Sequence, residues 1–288
     1  MANPLQLRAE VLADHPEGAY RRLVLRAPGV PRRVRPGHLA ALAVGGAGAP
    51  RLLRRAHPVH RADPAAGTVE LVLPADDPAV AEKATELDLI APLGTPFPLP
   101  DGPAAALLVG EQAAAGPLLE LGAELLRRGC RIGFVLGAPS ADRLYGVERA
   151  QVLTPDVLVL TEDGSAGLAG RVTDPPAGGG GPHSPSVLAQ AVEAIGATVL
   201  YAAGGRRTLA AAARTAAERS VRCHTAVPQA AVCATGSCLS CVLPVVGADG
   251  RVRFARGCAD GPVFDGTKVR WEQIGTVPAD LDGAGAAR

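Results

Sequence analysis

Residues 233–264 read CATGSCLSCVLPVVGADGRVRFARGCADGPVF. Cys233, Cys238 and Cys241 follow the spacing C-x4-C-x2-C, and Cys258 stands alone sixteen residues further on. The first three match the plant-type run that holds a 2Fe–2S cluster. Four thiolates that converge on two irons need a chain that wraps closely, with backbone N–H groups free to point at sulfur. The loop supplies small residues for this: Ala234, Thr235, Gly236, Ser237 and Ser240, with Gly257 just before the fourth cysteine. A structural zinc ribbon is the alternative, but it usually places two cysteine pairs on two separate knuckles. The spacing therefore predicts a 2Fe–2S centre on Cys233, Cys238, Cys241 and Cys258. Cys130 and Cys223 lie at or beside predicted strands and read as plain buried thiols.

Outward from this stretch the chain divides into three regions. Residues 227–288 form a small cysteine-bearing module with little obvious core, which would depend on its metal for stability. Residues 100–226 alternate strand and helix. Strands are predicted near 104–109, 131–136, 157–161, 198–202 and 221–226, and helices near 116–128, 187–195 and 207–219. That alternation implies a parallel sheet with crossover helices. The Gly/Pro-rich stretch from Asp174 to Pro185 reads as a low-complexity, mobile loop. Residues 1–99 show short alternating or β-branched runs at 5–12, 20–25, 39–44, 68–73 and 87–90, separated by Pro/Gly breakers. They predict a small antiparallel barrel. The last eight residues read as a frayed tail.

The totals exclude several classes. Of 288 residues, 35 are Gly and 26 are Pro, aromatics make up 3%, and the net charge is +1. No basic run alternates with aromatics, so the footprint of a nucleic-acid binder is missing. No basic segment followed by an apolar stretch opens the chain, and no apolar run is long enough to span a bilayer. A cytoplasmic location follows, where a cysteine cluster reads as a metal site and not as a disulfide framework.

Around the fourth cysteine, Gly257-Cys258-Ala259-Asp260-Gly261-Pro262-Val263-Phe264 resembles the signature of dihydroorotate dehydrogenase electron-transfer subunits. Other segments extend the resemblance: Pro36-Gly37-His38, Leu52-Leu53-Arg54-Arg55, Ala91-Pro92-Leu93-Gly94, Thr161-Glu162-Asp163-Gly164-Ser165 and Val172-Thr173-Asp174. The resemblance implies a ferredoxin-reductase-like fold: a flavin-binding β-barrel over 1–99, an NAD-binding-like α/β domain over 100–226 and a 2Fe–2S domain over 227–288. It also implies a hetero-oligomer with a catalytic subunit, in pyrimidine biosynthesis. Electrons would pass from that subunit's flavin through the cluster to FAD on this chain, and on to NAD.

Three motifs depart from the pattern. The family's R-P-x-S flavin motif is here Arg55-Ala56-His57-Pro58, and its later Gly-Thr is Ala84-Thr85. Arg55, His57, Pro58 and Thr85 thus occupy the flavin positions, and Arg55 retains a charge for a diphosphate. Pro58 has neither a hydroxyl nor an N–H to offer. The Gly-rich loop that cradles a pyrophosphate in the family reads Gly110-Glu111-Gln112-Ala113-Ala114-Ala115-Gly116. The family's C-G-P is Ala203-Gly204-Gly205. His57 and His60 read as surface residues of a hairpin, Glu111 as an exposed helix cap or as a charge facing a diphosphate, and Asp163 and Asp174 as turn formers.

An electron-transfer subunit, active only in a complex, is the expected function. One alternative is a 2Fe–2S relay independent of NAD, and the other is an assembly or regulatory partner with a structural metal. No residue reads as a general acid, base or nucleophile.

Overall fold

The computed structural model describes residues 3–44, 53–78, 84–175, 185–228 and 232–282. Most of the predicted loop between Asp174 and Pro185, residue 52 of the Leu52–Arg55 segment and the tail beyond 282 lie outside the described residues.

Six strands close a barrel: β1 (Leu5–Glu17), β2 (Tyr20–Arg26), β3 (Leu39–Ala43), β4 (Arg54–Asp63), β5 (Thr68–Pro74) and β6 (Glu86–Leu93), in the order β1-β2-β5-β4-β3-β6. Neighbouring strands are antiparallel throughout. Period-two alternation builds the interior. Leu23 and Leu25 of β2, Val69, Leu71 and Leu73 of β5, and Leu87 and Leu89 of β6 all point inward and are buried. Strand β3, LAALA, has no polar face because both of its faces are covered. Leu42 and Ala40 fill the barrel, while Ala41 packs outside it with Ile90, Leu93 and Ala234.

The second unit runs through β7 (Ala105–Glu111), α1 (Gly116–Arg127), β8 (Arg131–Ala138), α2 (Val147–Leu153), β9 (Val157–Thr161), β10 (Leu168–Ala169), α3 (Val187–Ile195), β11 (Val199–Ala203), α4 (Arg206–Glu218) and β12 (Arg222–Ala226). Strands β7, β8, β9, β11 and β12 pair in parallel. They read as nearly unbroken apolar runs because helices cover both faces. Helix α1 presents Leu118, Leu119, Leu121 and Leu125 to the sheet. Helix α4 is alanine-rich on its buried face, Ala210 to Ala213 and Ala216, which lets its backbone approach the strands closely. Ser186 caps α3 by accepting from the Ala189 N–H at 3.2 Å. None of the helices among the described residues is long and apolar enough to cross a membrane.

The third region contributes the hairpin β13 (Val242–Val246) and β14 (Val252–Arg256), then β15 (Val263–Asp265). It has more core than its sequence suggests. Strand β15 pairs antiparallel with β12 and extends the large sheet to the order β10-β9-β8-β7-β11-β12-β15. Leu243, Val269 and Trp271 join the main core of the parallel sheet, and the Trp271 indole N–H donates to the Gly266 carbonyl at 2.8 Å. The reason is long-range: these side chains complete their packing on the sheet of the second unit.

Candidate metal centre and cofactor surfaces

The cysteine loop follows directly from a barrel strand in space. The Arg54 N–H at the start of β4 donates to the Val232 carbonyl at 2.8 Å, one residue before Cys233. Ala234 then packs on the outer face of β3 and β6, and Ala56 of β4 packs against Cys241 and Cys258. Gly236 bends the loop with φ +84°; a Cβ there would lie 3.2 Å from the Arg256 guanidinium and 3.3 Å from Ala259. Here a glycine meets both a positive φ and close neighbours.

The fourth cysteine is held by a tight turn. The Arg256 carbonyl accepts from the N–H groups of Ala259, Asp260 and Gly261, and the Arg256 guanidinium forks onto both Asp260 oxygens at 2.9 Å. The Gly257 N–H donates to the Cys241 carbonyl at 2.9 Å, which sets the two thiols side by side. The chain just past the barrel's last strand clamps the same turn: Thr95 N–H donates to the Gly261 carbonyl at 2.6 Å, and its hydroxyl donates to the Asp260 carbonyl at 3.2 Å. The segments Ala91–Gly94 and Asp260–Pro262, far apart in sequence, are therefore two sides of one contact.

The four predicted ligands come together as two pairs. Cys241 Sγ and Cys258 Sγ lie 3.4 Å apart, both buried. Two thiolates sharing one tetrahedral metal with bonds of about 2.3 Å stand roughly 3.8 Å apart, so this spacing suits a common metal. Cys233 pairs with Cys238; its sulfur accepts from the N–H groups of Thr235 and Cys238, each at 3.4 Å. Slight burial raises the Cys233 thiol, but the Thr235 hydroxyl and these two N–H groups outweigh it and hold the thiol down at about 6. Cys258 is pushed up to about 12, first by burial and then by its shared hydrogen bond with Cys241 and by that residue's charge. Cys238 is exposed, and Leu239 beside it is 58% exposed with φ +58°. Among the described residues no three metal-ligating side chains meet around a single point. Cys130 and Cys223 are buried elsewhere, at 4% and 2% exposure.

The predicted flavin positions are only partly brought together. Arg55 Nε stands 3.6 Å and His57 Nε2 3.8 Å from the buried Asp77 carboxylate, so both lean on one anion without a hydrogen bond to it. The Arg55 side chain is 51% exposed, whereas His57 is buried with Nε2 lacking any hydrogen-bond partner. Pro58 is half-buried opposite Leu39 of β3. Thr85 is exposed just before β6, where its carbonyl accepts from the Val11 N–H. His57 and His60 are not surface residues: both are buried, and His60 sits beneath the α/β unit with its ring edge-on to Tyr145 at 5.1 Å.

Glu111 is a helix cap, but of a helix distant in sequence. It ends β7 and turns towards α4, where one carboxylate oxygen accepts from the Gly205 N–H at 2.8 Å and the other accepts from the Thr208 hydroxyl. It caps α4, not α1. Sequence reasoning missed this because a charge can be read from sequence, but its direction cannot. Asp163 does form a turn, its carboxylate accepting from the Ser165 N–H and hydroxyl at 2.9 and 2.6 Å.

Comparison with known proteins bears on these residues. The family described as the iron–sulfur cluster binding domain of dihydroorotate dehydrogenase B matches residues 230–270. The electron transfer subunit of dihydroorotate dehydrogenase B (NAD(+)) from Bacillus caldolyticus is 34% identical over 185 residues, 64% of this chain and 65% of that protein. The match thus spans just under two thirds of that relative's length. The corresponding subunit from Shouchella clausii is 32% identical over 221 residues, 74% of this chain and 78% of that protein. Among solved structures, an NADH-dependent reduced ferredoxin-NADP oxidoreductase superposes with a TM-score of 0.71 at 23% identity, covering 92% of this chain and 91% of its own. Phthalate dioxygenase reductase superposes with a TM-score of 0.55 at 12% identity, covering 84% and 87%. These last two likenesses establish the barrel-plus-parallel-sheet fold.

Proposed function

Because the chain belongs to the family of dihydroorotate dehydrogenase B electron transfer subunits, we propose that it relays electrons for a dihydroorotate dehydrogenase catalytic subunit in pyrimidine biosynthesis. In this reading it holds a 2Fe–2S cluster on Cys233, Cys238, Cys241 and Cys258 and FAD along β4, and it works as part of a cytoplasmic hetero-oligomer.

The observation that carries the reading is the pairing of Cys233 with Cys238 and of Cys241 with Cys258, on a loop and a turn packed against β4. Two pairs suit two irons, each taking two thiolates. When bound, a 2Fe–2S cluster supplies one-electron transfer at a potential set by its surroundings. The chain's own residues do the tuning. The Thr235 and Cys238 N–H groups donate to the Cys233 sulfur and favour negative charge there. Ala56 and Ala234 exclude water on the barrel side, while exposed Cys238 and Leu239 leave the opposite side open to a partner.

Flavin has a more limited set of holders. Arg55, half in solvent, offers its guanidinium to a diphosphate, and the orphaned Nε2 of buried His57 offers a polar contact on the same strand. Pro58 and Thr85 are assigned by resemblance alone. None of these residues is positioned as an acid, base or nucleophile, which leaves the proton chemistry to the partner.

Co-expression with a dihydroorotate dehydrogenase catalytic subunit, followed by size exclusion, tests the assignment. A single coloured complex containing both chains is expected. Two separately eluting proteins, each fully loaded with cofactor, would count against it.

A further inference from the structure

In doubly wound sheets a dinucleotide binds outside the carboxyl ends of the strands, where strand order reverses. Here the reversal falls between β7 and β11, whose register sets Ala203 beside Gly110. A pyrophosphate at that point requires bare backbone N–H groups at a helix N-terminus and a crevice large enough to enter. Both are already taken by side chains of this protein.

Glu111 reaches across the reversal point and binds the first turn of α4 through the Gly205 N–H and the Thr208 hydroxyl. Its side chain also fills the space over Gly204: a Cβ built there would lie 2.7 Å from Glu111 Oε2. On the other flank, the barrel covers the N-terminus of α1. The His60 imidazole lies so close over Gly116 that a Cβ there would meet its Nδ1 at 1.9 Å. Gln112, between the two, takes a left-handed φ of +52° and turns its amide towards the Tyr20 hydroxyl. Beside Glu111, towards the ends of β8 and β9, lies a cavity of about 80 Å³ bordered by Glu111, Gln112 and the ion-paired Glu162 and Arg171. Small-molecule sites generally span roughly 300–1,000 Å³.

We infer that Glu111 is a built-in anion standing where a nucleotide phosphate would bind, and that the switch-point crevice takes neither NAD(H) nor NADP(H). The residues present do not fit the nicotinamide cofactor that appears in the relatives' names. The inference rests on the α/β unit and on the barrel residues His60 and Tyr20 that cover it, and is independent of the cluster.

Calorimetric titration of NADH and NADPH into the full chain, with cluster absorbance recorded on the same sample, tests it. No saturable heat is expected up to about 1 mM ligand. One-to-one binding with a Kd below about 100 µM would overturn the inference. A sample that lacks the cluster but still binds no nucleotide sinks the cluster reading and leaves this one standing. The latch itself is tested by Glu111→Ala, expected to lower the thermal midpoint by about 2–4 °C. Glu111→Gln keeps the size, lowers the midpoint by less, and serves if the alanine variant does not fold. An unchanged midpoint in both variants removes Glu111 as the anchor of α4 and overturns the proposal.

Discussion

The backbone of Arg54 and that of Val232 are joined by a 2.8 Å hydrogen bond, so the strand that begins the flavin-type motif and the loop that begins the cysteine motif form one structural unit. Arg54 is fixed there from its other end by the Asp88 carboxylate at 3.1 Å. Any perturbation of the cysteine loop should therefore be felt in the barrel.

The division of the six cysteines gives the first expectation. Cys241→Ser removes one thiol of the buried pair with Cys258, and a structure coupled to its metal loosens when a ligand goes. The visible spectrum of the purified protein should be lost or strongly weakened. Cys130→Ser, at a buried site in the α/β unit, should leave the spectrum as it was. A full-strength spectrum for the first variant, or loss of it in the second, would break the division.

Gly94 gives the second. It adopts φ +77°, and a Cβ there would lie 2.2 Å from the Gly261 carbonyl in the turn that holds Cys258. The obstacle is backbone, so it cannot swing aside. Gly94→Ala should destabilise by about 1–3 kcal/mol and reduce metal content per chain, whereas Gly250→Ala, with φ +78° but open space around it, should cost stability without metal loss. Equal metal content in the two variants would contradict the clamp between barrel and cysteine turn.

The buried histidines predict acid sensitivity. Burial, then the charges of His57 and Arg149, hold His60 down at about 3. Burial and Arg35 hold His38 at about 4; His57 is also near 4, where burial outweighs the upward pull of Asp77. Each is a base whose folded pKa lies below its unfolded value near 6.5. The unfolded chain therefore takes up protons first as pH falls. This stability is fully present above about pH 6.5 and is lost as pH drops towards 4 and 3, by about 1.4 kcal/mol per unit of depression for each group. Urea midpoints should fall between pH 7.5 and pH 5, and fall less in His60→Leu. Identical acid losses in the two proteins would show that His60 is not neutral in the folded state.

Much of the fold was legible because local and tertiary demands agree. Helix α3 has a serine cap, an apolar face and Gly196 at its end with φ +64°, and its observed limits match the expected ones. Strand β9 does likewise. Helix α2 was not foreseen: it has seven residues and starts after Gly146, which offers no side-chain cap. Strand β4 was hidden because Arg54, Arg55, His57, Pro58, His60 and Arg61 do not read as a barrel strand, and its buried histidines lie against residues distant in sequence, among them Asp77, Gly116 and Tyr145. The grouping of Cys233, Cys238, Cys241 and Cys258 follows from spacing, and the structure sets Cys241 beside Cys258 and Cys233 beside Cys238. The flavin positions rest on the family pattern; here Arg55 and His57 share the Asp77 carboxylate, and Thr85 lies just before β6.

The most direct measurement is iron and acid-labile sulfide per chain on anaerobically purified protein, with electron paramagnetic resonance after reduction by dithionite. The pairing of Cys233 with Cys238 and of Cys241 with Cys258 predicts two irons and two sulfides per chain, a red-brown colour and a reduced 2Fe–2S signal. A colourless protein carrying one zinc per chain and no sulfide would contradict it.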